Sequence, residues 1–142
     1  MKILVMGLPG SGKTTLARSL VKILNAVHWN ADEVRANINT HLGFSMQDRL
    51  EQARRMGWLC QQVSKAGYIA VADFVCPTSD TRRAFDPDYT VFMNTIDSGR
   101  FDDTNAIFET PNSDTIDYIV GKFDADYYAE LIAIDIHKKK VD

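Results

Sequence analysis

The segment Gly7-Leu8-Pro9-Gly10-Ser11-Gly12-Lys13-Thr14-Thr15 carries the clearest chemistry in the chain. Its spacing is G-x-x-x-x-G-K-T. The glycines allow a tight turn in which successive backbone N–H groups point at phosphate oxygens. A helix N-terminus behind such a turn adds positive potential. Lys13 supplies a flexible charge for the β- and γ-phosphates, and the Thr14 hydroxyl can ligate magnesium. The plainer reading is a chance match in a glycine-rich turn. The motif, however, directly follows an apolar run and directly precedes an amphipathic one, which is the context it requires. Residues 7–15 are therefore expected to bind a nucleoside triphosphate, ATP, with Mg2+.

Two acids fall where such a ligand would reach. Asp73 closes Tyr68-Ile69-Ala70-Val71-Ala72-Asp73, a Walker-B-like pattern whose carboxylate can hold a metal's water shell. A turn start explains an aspartate there equally well. Asp32 can accept a proton from an attacking hydroxyl or bind magnesium through water, with a helix cap as the plainer role. Lys13 and Asp32 are thus the catalytic candidates, and Thr14, Asp32 and Asp73 the metal candidates. Arg35, Arg49, Gln52, Arg54 and Arg55 lie in or near two helical segments. Arg49 and Gln52, three apart, share a face, while Arg54 and Arg55 point elsewhere. Guanidinium groups suit sulfate or phosphate oxygens through paired hydrogen bonds. Phe44 and Phe74 can stack on a flat base; core phenylalanines and solvated arginines are the bland alternative.

The elements that must position these residues follow from periodicity. Lys2–Met6 is fully apolar, as in a buried parallel strand. A helix over Lys13–Leu24 presents Leu16, Ala17, Leu20, Val21 and Leu24 at helical spacing. Strands are expected at residues 26–29, 68–72, 89–93 and 116–120, and a short helix at 31–39. Ser45 caps a long helix ending near residue 66, with Ala53, Met56, Leu59, Cys60 and Val63 inward. A closing helix over 126–138 turns Tyr128, Leu131, Ile132 and Ile136 inward. Alternating strands and helices predict an α/β architecture of the P-loop NTPase/kinase fold, a parallel β-sheet with helices on both faces. Ligands of such sheets lie beyond the carboxyl ends of the strands. Gly7, Asn30 to Asp32, Asp73 to Pro77 and Asn94 all fall there.

At 142 residues the chain is expected to form one domain, 1–142. Its formal charge of -3 gives no basic footprint for a large nucleic acid or an anionic membrane. The apolar run at residues 3–6 is too short for a membrane span. Cys60 and Cys76 lack metal-site spacing and read as reduced, buried thiols, so a cytoplasmic location is expected. His28, His41 and His137 are too scattered for a metal site. Trp29 and Trp58 are expected in the core or an interface. The Tyr127-Tyr128 pair can serve a homodimer as well as a core. The Lys138-Lys139-Lys140 tail complements a helix C-terminus.

Several pieces, taken in order, resemble the adenylylsulfate kinase (APS kinase) family. They are the loop at residues 7–15, Asp32-Glu33-Val34-Arg35, Leu42-Gly43-Phe44-Ser45, Asp48-Arg49 and Phe74-Val75-Cys76-Pro77. Phe101 through Phe108-Glu109-Thr110-Pro111 looks like the family's F-T-G-x-x-x-x-Y-E-x-P. The resemblance covers most of residues 1–111. It implies transfer of the γ-phosphoryl of ATP to the 3′-hydroxyl of adenosine 5′-phosphosulfate, within sulfate assimilation. Asp32 would then sit near the attacking hydroxyl, with Arg35, Arg49 and Gln52 on the acceptor. Phe44 and Phe74 would flank its adenine, and Phe101 would belong to a mobile segment near the nucleotides. The departures are specific. Asn30-Ala31-Asp32 replaces D-G-D, Gln52 replaces an asparagine, and Asp102-Asp103 replaces the threonine and glycine of F-T-G. Only Ile96-Asp97-Ser98-Gly99-Arg100 stands where the family carries a cationic lid helix, so that Arg82, Arg83 or Arg100 would have to substitute. Two other readings follow from that gap: a small kinase for another nucleoside, nucleotide or hydroxyl acceptor, and a non-catalytic nucleotide-binding module read by a partner.

Overall fold

Five apolar runs become five parallel strands in the computed structural model, which describes residues 1–141. They are β1 (Lys2–Met6), β2 (Val27–Asn30), β3 (Ala70–Asp73), β4 (Tyr89–Met93) and β5 (Tyr118–Val120). The sheet order is β2-β3-β1-β4-β5, with every pairing parallel. Six helices connect or cover them: α1 (Lys13–Leu24), α2 (Ala31–Asn37), α3 (Met46–Lys65), α4 (Ser79–Phe85), α5 (Asp102–Ile107) and α6 (Ala125–Val141).

Strand side chains alternate between faces, and both faces of this sheet are covered. Ile3, Val5, Val71, Val91 and Val120 pack against Leu16, Ala17 and Leu20 of α1 and Ala129, Ile132 and Ile136 of α6. Leu4, Met6, Ala70, Ala72 and Phe92 face the other way, onto Ala31 and Val34 of α2, Ala53, Met56 and Cys60 of α3, and Phe85 of α4. Each fully buried leucine or isoleucine here contributes roughly 1.5–3 kcal/mol. A charge at Ile132, at the centre of the α6 stripe, would therefore unseat that helix. Expected helices and strands are present with ends shifted by a few residues. The inward face of α6 differs, however. Ala129 and Ala133 are buried there with Ile132 and Ile136, while Tyr128 and Leu131 are only half-buried.

Two helices were not foreseen. The first, α4, spans seven residues from Ser79 and is held by a capping box between Thr78 and Thr81. The second, α5, spans six residues with no side-chain cap. Neither is long enough to show a stripe. Trp58 is 58% exposed on α3, not in the core. Cys60 and Cys76 are free and buried, and burial pushes both thiols up to about 12. Among the described residues no helix is long and apolar enough to cross a membrane.

Candidate active site

The loop between β1 and α1 turns through left-handed residues, with Gly10 at φ 85° and Gly12 at φ 93°. Only glycine reaches these without strain. Ser11 N–H donates to Leu8 O at 3.1 Å, and Leu16 N–H to Gly12 O at 3.0 Å, so α1 starts directly beneath the loop. Lys13 folds back across it, its Nζ donating to Leu8 O at 2.9 Å. Burial drives the Lys13 ammonium down to about 8; Asp73 and Asp32 oppose the shift, and the charge of Arg100 adds to it. A triphosphate favours the protonated form and would raise this value on binding. ATP affinity is therefore expected to be flat below about pH 8 and to weaken by up to tenfold per unit above it. Calorimetric titration between about pH 7 and about pH 9.5 would test this, and a constant Kd would refute it.

Asp73, only 2% exposed, points at the loop. Its Oδ1 accepts hydrogen bonds from Thr14 Oγ1 at 2.8 Å and Asn30 Nδ2 at 3.1 Å. Asn30 Nδ2 also reaches Thr14 Oγ1 at 3.3 Å, and His28 Nε2 bonds to Asp73 Oδ2. The cluster exists because β2 and β3 are neighbours in a register that pairs Asn30 with Asp73. Starting a turn does not account for a carboxylate bonded this way. His28 was not anticipated as part of it, although its position two before Asn30 puts both on one strand face.

Magnesium with a nucleotide takes few protein ligands and keeps several waters. The hydroxyl of Thr14 beside the Asp73 carboxylate is a donor set of that kind. No group of three or more histidine, cysteine or acidic side chains arranged for a metal occurs among the described residues. The donors thus fit a nucleotide-bound magnesium rather than an all-protein cage. Asp32, the third metal candidate, hydrogen-bonds to neither.

Two cavities meet at this loop, and Gly10, Lys13 and Thr14 line both. The first, of about 560 Å³, runs between α1 and the loop after β5, with Leu16, Met93, Val120 and Phe123 as its apolar walls. Sequence reasoning missed it. The rim rule would have found it, since residues 121–124 directly follow a strand end.

The second cavity, of about 350 Å³, gathers Asp32, Arg35, Phe44, Arg49, Gln52, Phe74 and Phe101 with Asp73 and Arg100. All the expected acceptor residues therefore meet. Asp32 is exposed in the first turn of α2, and it is Asn30 that caps the helix, its Oδ1 accepting from Glu33 N–H at 3.0 Å. The cap role for Asp32 is thereby filled by another residue. The Arg35 guanidinium lies 4.4 Å over the Phe44 ring, and its Nε is buried without a partner. Burial lowers the Arg35 proton affinity, while Asp32 opposes this. Arg49 is more engaged: Nε donates to Phe44 O at 2.9 Å and Nη2 to Thr104 Oγ1 at 3.3 Å.

The three phenylalanines differ. Phe44 is 63% exposed, braced between Arg35 and Arg49 rather than in the core. Phe74 is buried, in an edge-to-face pair with Phe85 at 5.7 Å, and still lines the cavity. Phe101 is exposed under Arg100, 5.1 Å from its centroid. Gln52 is buried, and its amide is used internally: Oε1 accepts from Asn39 at 2.9 Å and Nε2 donates to Ala31 O at 3.3 Å. That geometry holds the start of α2, which carries Asp32, and leaves less of the amide for a substrate than expected. Arg54 and Arg55 pair with Glu51 outside the cavity.

Fold and site together define a P-loop kinase-type α/β domain: a parallel sheet, a phosphate loop at its carboxyl rim, and cavities on both sides of Lys13. The adenylylsulphate kinase family model matches residues 1–127, and the chain belongs to that family. The adenylyl-sulfate kinase of Oceanobacillus iheyensis is 40% identical over 81 residues, covering 54% of this chain and 41% of that protein. The adenylyl-sulfate kinase of Chloroflexus aurantiacus is 37% identical over 81 residues, covering 54% of this chain and 44% of that one. The matched stretch thus spans less than half of these relatives. The Mycobacterium tuberculosis APS kinase CysC, solved with AMPPNP and APS, superposes with a TM-score of 0.84 over 96% of both chains at 20% identity. Shikimate kinase from Acinetobacter baumannii gives 0.64 over 99% of this chain and 95% of that one at 16% identity. At such identities the likeness establishes the fold alone.

Proposed function

We propose that this chain transfers the γ-phosphoryl group of ATP to the 3′-hydroxyl of adenosine 5′-phosphosulfate. One observation carries the proposal: Lys13 and Thr14 line both cavities, so a donor on the α1 side and an acceptor on the α2 side would meet at Lys13. The apolar first cavity suits the adenine and ribose of ATP. The loop N–H groups of residues 7–15 suit its phosphates. In the second cavity Arg35, with an unpartnered Nε, and Arg49 suit the phosphosulfate end of an acceptor. Phe44 and Phe101 offer apolar surface to its base.

Asp32 is the group for the hydroxyl proton. It lines the second cavity together with Lys13 and Arg35, the residues for the donor's phosphates and the acceptor's anion. Thr14 would hold magnesium directly and Asp73 through water; bound there, the ion would neutralise phosphate charge. Family membership supports the same reading, and we favour it over a binding module because an acceptor-sized cavity adjoins the loop. Free buried thiols accord with the cytoplasm. Tyr127, 55% exposed, leaves a homodimer contact open to it.

ADP formation from ATP and magnesium is the test, with and without adenosine 5′-phosphosulfate and against a panel of nucleosides and nucleotides. Stimulation by adenosine 5′-phosphosulfate, with a 3′-phosphorylated product, is expected. Stimulation by another compound alone would reassign the acceptor. ATP binding without any stimulation would overturn the kinase reading.

A further inference from the structure

A phosphoryl group in flight spreads negative charge over its oxygens, and in kinases of this fold one lysine is seldom the only cation that meets it. Three further arginines lie in α4 and just before α5, and the structure separates them. Arg82 is used up on backbone carbonyls: Nε donates to Cys76 O at 3.0 Å, and Nη2 to Pro77 O at 3.2 Å and Glu109 O at 2.6 Å. Arg83 is paired with Asp80 on the surface. Arg100 alone of the three lines the second cavity, beside Pro9, Gly10 and Lys13. It has no hydrogen-bond or ion-pair partner among the described residues, and its guanidinium lies over the Phe101 ring.

The segment carrying Arg100 is bonded to the phosphate loop at its start and packs against it at Gly99. Thr95 Oγ1 donates to Ser11 O at 2.8 Å. Asn105 grips Gly99 twice, accepting from its N–H at 2.8 Å and donating to its carbonyl at 2.9 Å. Gly99 in turn sits so close to the loop that a Cβ there would lie 2.9 Å from Pro9 O. Residues 95–105 form a short strap anchored on the loop, with Arg100 one residue past the tightest contact. A cation held this way needs little reorganisation when charge develops.

We propose that Arg100 is a catalytic residue that contacts the oxygens of the transferring phosphoryl group together with Lys13. This rests on the phosphotransfer reading above. In the step, the acceptor hydroxyl oxygen bonds to the γ-phosphorus as the bond from phosphorus to the β–γ bridging oxygen breaks. The bridging oxygen leaves on ADP with that bond's electron pair, and the hydroxyl proton passes to Asp32 and then to solvent. Arg100 stabilises the charge in between and neither gains nor loses a proton.

The test compares wild type, Arg100→Ala, Arg100→Lys and Asn105→Ala for three quantities. These are turnover, affinity for a non-hydrolysable ATP analogue, and affinity for ADP with aluminium fluoride, which mimics the group in flight. Arg100 is exposed, so its removal should leave the melting temperature unchanged. Arg100→Ala is expected to lower turnover and ADP–aluminium fluoride affinity by roughly 100- to 1,000-fold, with ATP-analogue affinity moving less than about threefold. Arg100→Lys should recover part of the loss, and Asn105→Ala should show a smaller loss of the same kind. Unchanged ADP–aluminium fluoride affinity in Arg100→Ala would overturn the proposal, as would an equal loss for the ATP analogue. Wild type that ignores adenosine 5′-phosphosulfate would refute the acceptor instead, and the metal-fluoride comparison would still decide Arg100.

Discussion

Lys13→Met is expected to lower turnover by roughly 1,000-fold or more while raising the melting temperature at neutral pH. The loss has a direct cause. Lys13 stands where the two cavities meet, and no other lysine lines both. ATP affinity should also fall, by roughly 10- to 100-fold, since a charge-assisted hydrogen bond is removed. The gain in stability follows from burial. Folding lowers the Lys13 ammonium from 10.5 to about 8. Below about pH 8 both folded and unfolded states carry the proton, and the folded state bears the whole penalty, of order 3 kcal/mol. Between about 8 and 10.5 the unfolded chain binds more protons, so stability rises with pH until the penalty is gone. Methionine keeps the apolar stem and removes the charge. Against it stands the lost bond to Leu8 O, about 1 kcal/mol. The remainder, about 2 kcal/mol, amounts to several degrees for a domain of this size. The difference between variant and wild type should shrink as pH climbs past about 8. Thermal melts across that range, alongside turnover, would check both halves. A destabilised variant at neutral pH would mean that Lys13 is held by more than its carbonyl partner and two acids.

The phosphate loop was legible because all its parts are contiguous: strand, glycines, lysine and helix follow one another in fifteen or so residues, and local geometry does the rest. The place of Asp32 on the cavity rim was legible for a related reason, since it lies two residues past a strand end. What sequence could not supply was strand order. The bonding of Asp73 to Thr14 and Asn30 depends on β3 lying between β1 and β2, and no local signal states that. His28 entered the site through the same adjacency. Short elements hid as well: α5 has too few residues to show a stripe, although it supplies Thr104 to Arg49 and Asn105 to Gly99. Aromatic residues left their burial open. Phe74, expected on the acceptor, lines the second cavity but is buried, and Trp58, expected in the core or an interface, is exposed. Residue type sets how much a side chain gains from burial; the chain path decides whether it is buried.

Asp32→Asn is expected to lower turnover by roughly 100- to 10,000-fold while ATP affinity changes less than about threefold. The substitution keeps size and removes the ability to take a proton. The fold should tolerate it, because Asp32 is exposed, has no hydrogen-bond partner among the described residues, and leaves the capping of α2 to Asn30. Loss of a favourable charge in a helix's first turn costs only about 0.3–1 kcal/mol. Asp73→Asn makes the informative contrast. Asp73 is buried and bonded to Thr14, the metal candidate of the phosphate loop. Its loss should weaken magnesium-dependent ATP binding along with turnover. Titration of each variant with ATP, with and without magnesium, beside turnover at saturating acceptor separates the two roles. If Asp32→Asn loses ATP affinity as steeply as turnover, then Asp32 serves the metal and the hydroxyl proton leaves by another route. If only Asp73→Asn shows the magnesium-dependent loss, the two acids divide the work as the cavities divide the substrates.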